Sequence, residues 1–328
     1  MSTAVVTTVT GPVAADALGL VLAHEHVVVR SPGVAETWPQ TFPQAEVRRL
    51  CREKLHAARA AGVDTIVDHS PYDLGRDPML LRELAEESGV HIVAATGAWV
   101  NPARFFHRRE PAAIAELFIA EVVEGIAGTG VRAGIVKCAV EDPEPTGPAA
   151  RVLDAAALTH LATGVAVSVH TSVTRRSGLG AARRLCAAGV PPERILLGHC
   201  GDTTDLDLLR ALLATGCFVG MDRFGVPDVL PDDDRVAVVS RLCAEGYARQ
   251  LLLSHDANCW SDKDDEEHKR AERPNWVYTH LPRTIVPALR AAGVTEGDLD
   301  LMLRRNPARL LTGAPQSRTE TTRSTRSA

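Results

Sequence analysis

Short apolar runs alternate with longer segments of helical periodicity along most of this chain. Continuous apolar runs bounded by helical segments are typical of strands that are buried on both faces. Eight runs are predicted as strands, at residues 21–29, 65–69, 90–97, 133–139, 165–170, 194–199, 217–222 and 250–256. Seven of them follow predicted helices, at residues 44–61, 78–88, 111–126, 149–162, 178–188, 205–214 and 233–245, and two more helices follow at 281–291 and 295–304. This alternation predicts an α/β fold of the (β/α)8 TIM-barrel class, with parallel strands.

The two ends of the chain lie outside this alternation. Residues 5–10, followed by a turn at Gly11-Pro12, are predicted to form a short hairpin that plugs one end of the barrel. A length of 328 residues suits one α/β barrel, so we predict a single domain over residues 1–313. Residues 316–328 carry no large apolar side chain. We therefore predict a disordered tail over residues 314–328.

Composition narrows the classes of function. A net charge of -5 leaves no strongly basic patch for nucleic acid, while 45% hydrophobic content supplies a large core. No apolar run is long enough to span a bilayer, and the first residues lack the basic and apolar regions of a signal peptide. The seven cysteines show no Cys-x-x-Cys pair, which argues against a disulfide framework. We predict a cytoplasmic protein that acts on a small molecule, with no nucleic-acid or membrane partner.

The first predicted barrel strand contains the sequence His24-Glu25-His26. Because side chains alternate between the two faces of a strand, His24 and His26 project from the same side, about 7 Å apart along it. Two imidazoles directed at one place suggest a metal site. The pair by itself is equally compatible with two buried histidines that are hydrogen-bonded in a core.

Polar residues also occupy the ends of other predicted strands. In barrels of this class the active site lies at the carboxyl ends of the strands. The residues found there are His24, His26, Lys137, His170, His199 and Asp256. A catalytic zinc ion typically takes three protein ligands, so this set is too large for one ion. Two metal ions about 3.5 to 4 Å apart would use all of them.

Lys137 is the unexpected member of this set, because an ammonium group repels cations. A buried lysine beside positive charge has a lowered pKa, and its neutral amine can react with carbon dioxide to form a carbamate. That reaction would turn Lys137 into a bridging carboxylate. The alternative chemistry for a lysine on this strand is a Schiff base with a carbonyl substrate.

The chain resembles the phosphotriesterase family, the two-metal barrel hydrolases of the amidohydrolase superfamily. The matching stretches run from about residue 8 to 313 and are His24-Glu25-His26, Ala133-Gly-Ile-Val-Lys137, Val169-His170-Thr171, Gly198-His199-Cys-Gly-Asp202, Ser254-His-Asp256 and Asn306-Pro-Ala-Arg309. The resemblance implies a more buried metal on His24, His26 and Asp256, and a more exposed one on His170 and His199. It also implies that carboxylated Lys137 bridges the two metals together with a hydroxide, and that the protein is a homodimer.

Within that family, the run Gly220-Met-Asp-Arg-Phe-Gly225 resembles the lactonase branch, which includes the N-acyl-homoserine lactonases. Arg223 could donate to a lactone oxygen or hold a loop carboxylate, and the alternative is a solvated arginine at a loop edge. The branch usually places a tyrosine after strand three to contact the lactone. Trp99 stands at that position here, and its indole can stack and donate one N–H but cannot accept a hydrogen bond.

The longest connection at the predicted catalytic face runs from residue 257 to 282. Long loops in compact domains are often functional, so we predict a lid in which Trp260 covers an acyl chain or a leaving group. The charged residues 262–273 would be its solvated face. Trp276 and Tyr278 are predicted as core or dimer contacts. His69, at the end of strand two, could line the site, although a structural role is the simpler interpretation.

The chemistry predicted from this set is hydrolysis by a hydroxide that two metal ions activate, with Asp256 orienting it and taking its proton. Zinc is the first expectation for the metal, and cobalt, manganese or iron would also suit the ligands. Lactones, notably N-acyl-homoserine lactones as in quorum quenching, are the first substrate hypothesis, with phosphotriesters as promiscuous substrates. A dedicated phosphotriesterase or another ester or amide hydrolase is the near rival. A Schiff-base aldolase using Lys137 and a non-catalytic binding protein are the remote alternatives.

Overall fold

The centre of the fold is a cylinder of parallel strands. The structure is a computed structural model and describes residues 4–312, so the predicted tail at 314–328 lies outside the described residues. In chain order the strands are β1 Val5–Thr8, β2 Gly11–Ala14, β3 Val21–Val29, β4 Thr65–Asp68, β5 His91–Gly97, β6 Ile135–Ala139, β7 Ala166–His170, β8 Ile195–Gly198, β9 Phe218–Met221, β10 Leu251–Leu253 and β11 Asn258–Ser261. Strands β3 to β9 pair in sequence order, each parallel to the next.

The eighth barrel strand is interrupted at the place where it closes the barrel. Its first part, β10, pairs with β9, and its second part, β11, pairs with β3. Backbone hydrogen bonds continue across the break: the Asp256 N–H donates to the His24 carbonyl at 3.1 Å, and the His26 N–H donates to the Ala257 carbonyl at 2.8 Å. The sheet therefore closes, and the predicted (β/α)8 barrel is confirmed.

Helices follow the barrel strands in the predicted alternation. They are α1 Val34–Thr37, α2 Gln44–Ala60, α3 Pro78–Ser88, α4 Pro111–Val123, α5 Gly147–Thr163, α6 Ser177–Ala187, α7 Leu206–Leu213, α8 Asp232–Ala244, α9 Glu266–Glu272, α10 Val286–Ala291, α11 Glu296–Asp300 and α12 Asn306–Thr312. A π-helical turn at Leu281–Ile285 precedes α10, and another at Leu301–Arg305 follows α11. Among the described residues, no helix combines the length and the apolar character that crossing a bilayer requires.

In helix α3, residues at the two ends determine where the helix begins and ends. The Asp77 side chain accepts a hydrogen bond from the Leu80 N–H, and Pro78 occupies the first helical turn, where its missing N–H costs nothing. Gly89 ends the helix with a φ of 69°, a conformation that favours glycine. These signals are local, and the predicted range 78–88 coincides with the observed one.

The barrel separates two apolar layers. The larger layer lies between the strands and the surrounding helices, whereas the smaller one fills the inside of the barrel. Val6 of the first hairpin and Leu310 of the last helix pack into the inner layer with barrel residues such as Phe218. The prediction that the hairpin plugs one end of the barrel is therefore confirmed, although Gly11 and Pro12 belong to β2 and not to the turn. Polar residues occupy the other end.

Glu25 holds the interrupted eighth strand in place. Its fully buried carboxylate accepts hydrogen bonds from the Ser254 hydroxyl, the backbone N–H groups of His255 and Ala257, and His255 Nδ1. His255 Nε2 in turn accepts from the Leu281 N–H, so the proton of this imidazole sits on Nδ1. The Glu25 carboxylate thus accepts hydrogen bonds from the donors that have no strand partner at the break.

Replacing Glu25 by alanine is therefore expected to lower the free energy of unfolding by about 3 to 5 kcal/mol, since buried donors lose their partner. Urea unfolding followed by circular dichroism measures the change. The matched control is Glu86→Ala on the exposed face of α3, with an expected change within about 0.5 kcal/mol. Equal effects of the two substitutions would contradict the role given to Glu25.

Candidate active site

The residues predicted as metal ligands converge at the carboxyl ends of the barrel strands. Five of the six, all but His24, line a cavity of about 170 Å³. Side chains from several loops complete its wall, and Asn258, Lys263 and Trp276 are among those that were not predicted as site residues. The cavity is lined by His26, Trp99, Lys137, His170, His199, Arg223, Asp256, Asn258, Lys263 and Trp276, among others.

His24 and Lys137 meet at the bottom of this site. His24 Nδ1 lies 2.6 Å from Asp222 Oδ2, while His24 Nε2 lies 2.7 Å from Lys137 Nζ. Burial, and then the Lys137 charge, lower the pKa of His24 to about 3, so the imidazole is neutral. A neutral imidazole that donates its Nδ1 proton to a carboxylate presents a lone pair on Nε2, which is the form that binds metals.

Asp222, the residue that follows β9, orients two of the histidines. Besides His24 it binds His199, through the backbone N–H at 2.8 Å and through Nδ1 at 3.1 Å. Burial alone would raise the pKa of Asp222, but the charges and hydrogen bonds of His199 and His24 outweigh it and lower that pKa below its usual range. Asp222 was not among the predicted site residues. Its position as the last residue of predicted strand seven was the available signal.

Burial lowers the pKa of Lys137 to about 8, against the opposing charges of Asp256 and Asp222. The Lys137 side chain is nearly fully buried, and its ammonium group sits among imidazoles. A lysine with this pKa is neutral in about one molecule in ten at pH 7 and in about half of them at pH 8. The structure therefore supplies the amine that carbamate formation needs.

Asp256 lies where the eighth strand is interrupted, between the histidines and Arg223. Its Oδ1 is 3.2 Å from His26 Nε2 and 3.6 Å from His24 Nε2, and its Oδ2 accepts from Arg223 Nε at 3.1 Å. Burial would raise the pKa of Asp256, but His199, the His26 hydrogen bond and Arg223 lower it well below its usual range. The residue has a φ of 56°, and His199 has 61°, so two site residues adopt the left-handed conformation that non-glycine residues rarely use.

The donor set fits divalent cations. Ligand atoms of His24, His26 and Asp256 lie within 4.8 Å of one another, as do those of His24, His199 and Asp222. The first group is the set expected for the more buried metal. In the second group Asp222 is already engaged by both histidines, which makes it a carboxylate that orients ligands.

His170 belongs to neither group, although its ring centroid lies 4.4 Å from that of His199. Its Nε2 lies 2.9 Å from Glu141 Oε1, a carboxylate that the sequence analysis did not consider. With Nε2 donating to Glu141, the Nδ1 lone pair is the atom left to bind a cation. Burial, and then His199, lower the pKa of His170 well below its ordinary value, so this imidazole is neutral too.

Arg223 holds carboxylates at the edge of the cavity. In addition to Asp256 it donates to Asp202 Oδ2 at 2.7 Å. The other oxygen of Asp202 lies 2.9 Å from Arg235, which is almost fully buried and also donates to the Gly201 carbonyl. Of the roles considered for Arg223, a carboxylate clamp is the arrangement observed, and the guanidinium still borders the cavity.

Trp99 stands in the cavity wall beside His170. The two ring planes are nearly perpendicular, with centroids 6.0 Å apart. Asp73 accepts hydrogen bonds from the Trp99 backbone N–H at 2.8 and 3.0 Å, which fixes the loop after β5. The Lys263 ammonium lies 4.2 Å from the centre of the indole ring, so a loop on the opposite side covers the outer face of Trp99.

The predicted position of Trp260 is wrong. The residue belongs to β11, not to a lid, and its ring packs edge-to-face on Phe42 with centroids 5.3 Å apart. It is absent from the cavity lining, which the neighbouring Asn258 and Ser261 supply. The connection after residue 257 is therefore shorter than predicted, because four of its residues continue the barrel.

Trp276 occupies the place that the prediction gave to Trp260. It lines the cavity, and its indole N–H donates to the His255 carbonyl at 2.8 Å. The expectation of a core contact for Trp276 is confirmed, since it packs against the outer apolar layer, but its place in the cavity wall was not predicted. For Tyr278 the core expectation is confirmed, since its ring is buried and its hydroxyl donates to the His26 carbonyl.

His69 is fully buried against the site, with its ring centroid 4.1 Å from that of His24. Neither ring nitrogen has a hydrogen-bond partner among the described residues. Burial lowers the pKa of His69 well below its ordinary value, so the ring is neutral. We have no physical account of this unpaired imidazole.

Comparisons with known proteins agree with this geometry. The model of the phosphotriesterase family matches residues 4–311. The chain belongs to the phosphotriesterase family. A "phosphotriesterase homology protein" of Mycobacterium tuberculosis is 39% identical over 92% of this chain and 96% of its own length. An aryldialkylphosphatase of Saccharolobus solfataricus is 34% identical over 88% of this chain and 94% of its own length.

A solved structure supports the same assignment. The structure of the phosphotriesterase from Mycobacterium tuberculosis superposes with a TM-score of 0.89 at 37% identity, and the match covers 94% of this chain and 98% of that one. As a member of the phosphotriesterase family, the protein is a metal-dependent hydrolase. The family resemblance noted in the sequence is confirmed.

Proposed function

We propose that this phosphotriesterase-family hydrolase opens lactones, with N-acyl-homoserine lactones as main substrates, and hydrolyses phosphotriesters as a slower side activity. The observation that carries the proposal is the Arg223 clamp on Asp256, at the edge of a cavity walled by Trp99 and Trp276. The guanidinium supplies hydrogen-bond donors beside the reacting carboxylate, and the two indoles supply apolar surface for an acyl chain. Quorum quenching would be the biological use of such an activity.

The metals belong to this proposal. His24, His26 and Asp256 would hold the more buried cation, His170 and His199 the more exposed one, and carboxylated Lys137 would lie between them. When bound, the two cations would supply a nucleophile near neutral pH by lowering the pKa of water, and would polarise the substrate carbonyl or phosphoryl oxygen. Zinc is the metal we expect first, while cobalt, manganese or iron would also suit imidazole and carboxylate ligands.

The other roles in the proposed reaction belong to protein side chains. Asp256 takes the proton of the attacking water, and the Arg223 hydrogen bond keeps its carboxylate ionised and ready to accept it. Asp222 keeps His24 and His199 in the tautomers that leave their ligand atoms free. Trp99 contacts the acyl part of the substrate by stacking, since an indole cannot accept a hydrogen bond.

Relative rates test the substrate assignment. On zinc-loaded protein, we expect kcat/KM for N-octanoyl-homoserine lactone to exceed that for paraoxon by at least about tenfold, since the carboxylate clamp and aromatic wall match a lactone with an acyl chain. Product formation is followed with a pH indicator and by nitrophenol absorbance. A larger kcat/KM for paraoxon would show a dedicated phosphotriesterase instead, which the similarity to an aryldialkylphosphatase favours.

Metal analysis separates the hydrolase from the remote alternatives. About two metal equivalents per chain, with activity lost on chelation and restored on reloading, are expected for the proposed site. A Schiff-base aldolase using Lys137 would keep its activity without metal and would be trapped by borohydride in the presence of a carbonyl substrate. A binding protein would show no turnover with any loaded metal.

Two further assignments also remain proposals. We expect a homodimer, which sedimentation equilibrium would show directly. A cytoplasmic location is supported by the cysteines, all seven of which are free thiols in the structure. Fractionation of the source cells tests that location.

A further inference from the structure

Asn258 forms a wall between two cavities. It is the first residue of β11, pairs in register with His26, and is buried, with 7% of its surface exposed. On one side it lines the catalytic cavity, and on the other it lines a second cavity of about 280 Å³. Trp276 shares both linings, and Lys269 of α9 lies on the side of the second cavity.

Lys269 determines how the Asn258 amide is turned. Its Nζ lies 2.7 Å from Asn258 Oδ1 and 3.0 Å from the Asn258 backbone oxygen. An ammonium group has donors only, so the amide oxygen must face Lys269 and the NH2 group must point away from it. That NH2 group makes no hydrogen bond to any residue in the range 4–312. Asn258 therefore brings an unused N–H donor to the wall of the catalytic cavity.

The contact also strengthens this donor. Lys269 is buried, with 7% of its surface exposed, and makes no ion pair with a carboxylate within the part of the chain described. Its positive charge draws electron density toward the Asn258 oxygen and makes the amide N–H groups more acidic. Lys269 donates to both the side-chain oxygen and the backbone oxygen of Asn258, so the amide group has little freedom to rotate. The donor is thus both polarised and fixed.

We propose that Asn258 donates an N–H to the acylamino carbonyl oxygen of the substrate, and that Lys269 is the positioning residue that aims this donor. The inference rests on the proposed lactonase function and names the part of the substrate that sets its selectivity. The charged groups of the cavity act at the scissile ester. The acylamino carbonyl of the substrate is neutral, and the neutral Asn258 amide is a suitable donor for it. A bound lactone without this acceptor covers the N–H and leaves it unpaired, and that loss discriminates against it.

Two lactones with side chains of equal length test the role of Asn258. One is N-hexanoyl-homoserine lactone, and the other is a γ-lactone with an alkyl chain of the same length and no acylamino group. We expect wild-type kcat/KM to favour the acylamino lactone by about ten- to a hundredfold, the effect of one buried donor left unpaired. In Asn258→Leu the preference falls to within about threefold of unity. An unchanged preference in Asn258→Leu, or no preference in the wild type, overturns the proposal.

Lysine substitutions separate positioning from general structural support. Lys269→Met frees the amide to rotate, so the preference for the acylamino lactone falls by about three- to tenfold, through KM more than kcat. Lys269→Arg keeps a cation next to the Asn258 amide oxygen, so this variant retains most of the preference for the acylamino lactone. The matched control is Lys54→Met, because Lys54 lines the same second cavity and donates to the Cys259 carbonyl, not to Asn258. Equal losses in Lys54→Met and Lys269→Met overturn the positioning role.

Inhibition distinguishes failure of this inference from failure of the proposed function. Ring-opened N-hexanoyl-homoserine and a 4-hydroxy acid of equal length are compared as competitive inhibitors of paraoxon hydrolysis. Stronger inhibition by the acylamino compound, lost in Asn258→Leu, supports the donor even if lactones turn over slowly. Equal inhibition in wild type and Asn258→Leu overturns it, whichever substrate the enzyme prefers.

Discussion

Replacing Asp256 by asparagine is expected to lower turnover of an acyl-homoserine lactone by about 10² to 10⁴ without unfolding the protein, since asparagine cannot take the proton of the attacking water. The amide has nearly the size of the carboxylate and can keep a hydrogen bond to Arg223 only if it turns its oxygen toward Nε. Turnover is measured on protein with a determined metal content, so that loss of the proton acceptor is not confused with loss of metal.

Asp264→Asn is the matched control for this experiment. Asp264 lines the same cavity, but its carboxylate is exposed and lies on the loop that follows β11. We expect its neutralisation to change turnover less than about threefold, as for a surface substitution. Near-full activity of Asp256→Asn, or an equal loss in Asp264→Asn, would contradict the role assigned to Asp256.

Substitution of Lys137 by methionine is expected to have an effect of similar size for a different reason. Methionine retains the apolar stem but cannot become a carbamate, so we expect the metal content to fall to about one ion per chain or less. Loss of a Lewis acid worth several kcal/mol corresponds to a decrease in kcat/KM of about a thousandfold. Lys263→Met, which removes the other lysine of the cavity, should keep both ions. Two tightly bound ions in Lys137→Met would refute the bridging role.

The lowered pKa of Lys137 gives this prediction a pH dependence. Carbamate formation joins the neutral amine to carbon dioxide and releases a proton, so its rate follows the neutral fraction of the lysine. Since burial lowers that pKa to about 8, reactivation of metal-free protein by zinc at a fixed concentration of dissolved carbon dioxide should rise about tenfold per pH unit up to pH 8 and then level off. A reactivation rate that keeps rising to pH 10, or that does not depend on dissolved carbon dioxide, would contradict this chemistry.

The barrel could be predicted from the sequence because its signals are local. Apolar runs mark buried strands, and caps such as Asp77 and Gly89 mark helix ends within a few residues. The convergence of His24, Lys137 and Asp256 followed from one general property of this fold, that the carboxyl ends of all strands meet at one face. No contact had to be known in advance.

The residues that the prediction missed depend on tertiary neighbours. Trp260 and Trp276 both lie in the segment after the eighth predicted strand, and the continuation of the barrel into β11 places Trp260 outside the cavity lining and leaves Trp276 to reach it. Asp222 was visible at a strand end, but its role follows from contacts with two histidines from other strands. The left-handed backbone at His199 and Asp256 leaves no sequence signal, because such conformations usually require glycine.

The interrupted eighth strand makes metal binding and closure of the barrel thermodynamically linked events. Asp256 lies in the gap that joins β10 to β11, and its N–H bonds the carbonyl of His24 on the first strand of the cylinder. A cation held by both side chains would bind only the closed form, so it would add its binding free energy to the stability of that seam. Hydrogen exchange of the Asp256 and His26 amides should therefore slow on metal loading far more than exchange in β4 and β5, which carry none of the proposed ligands.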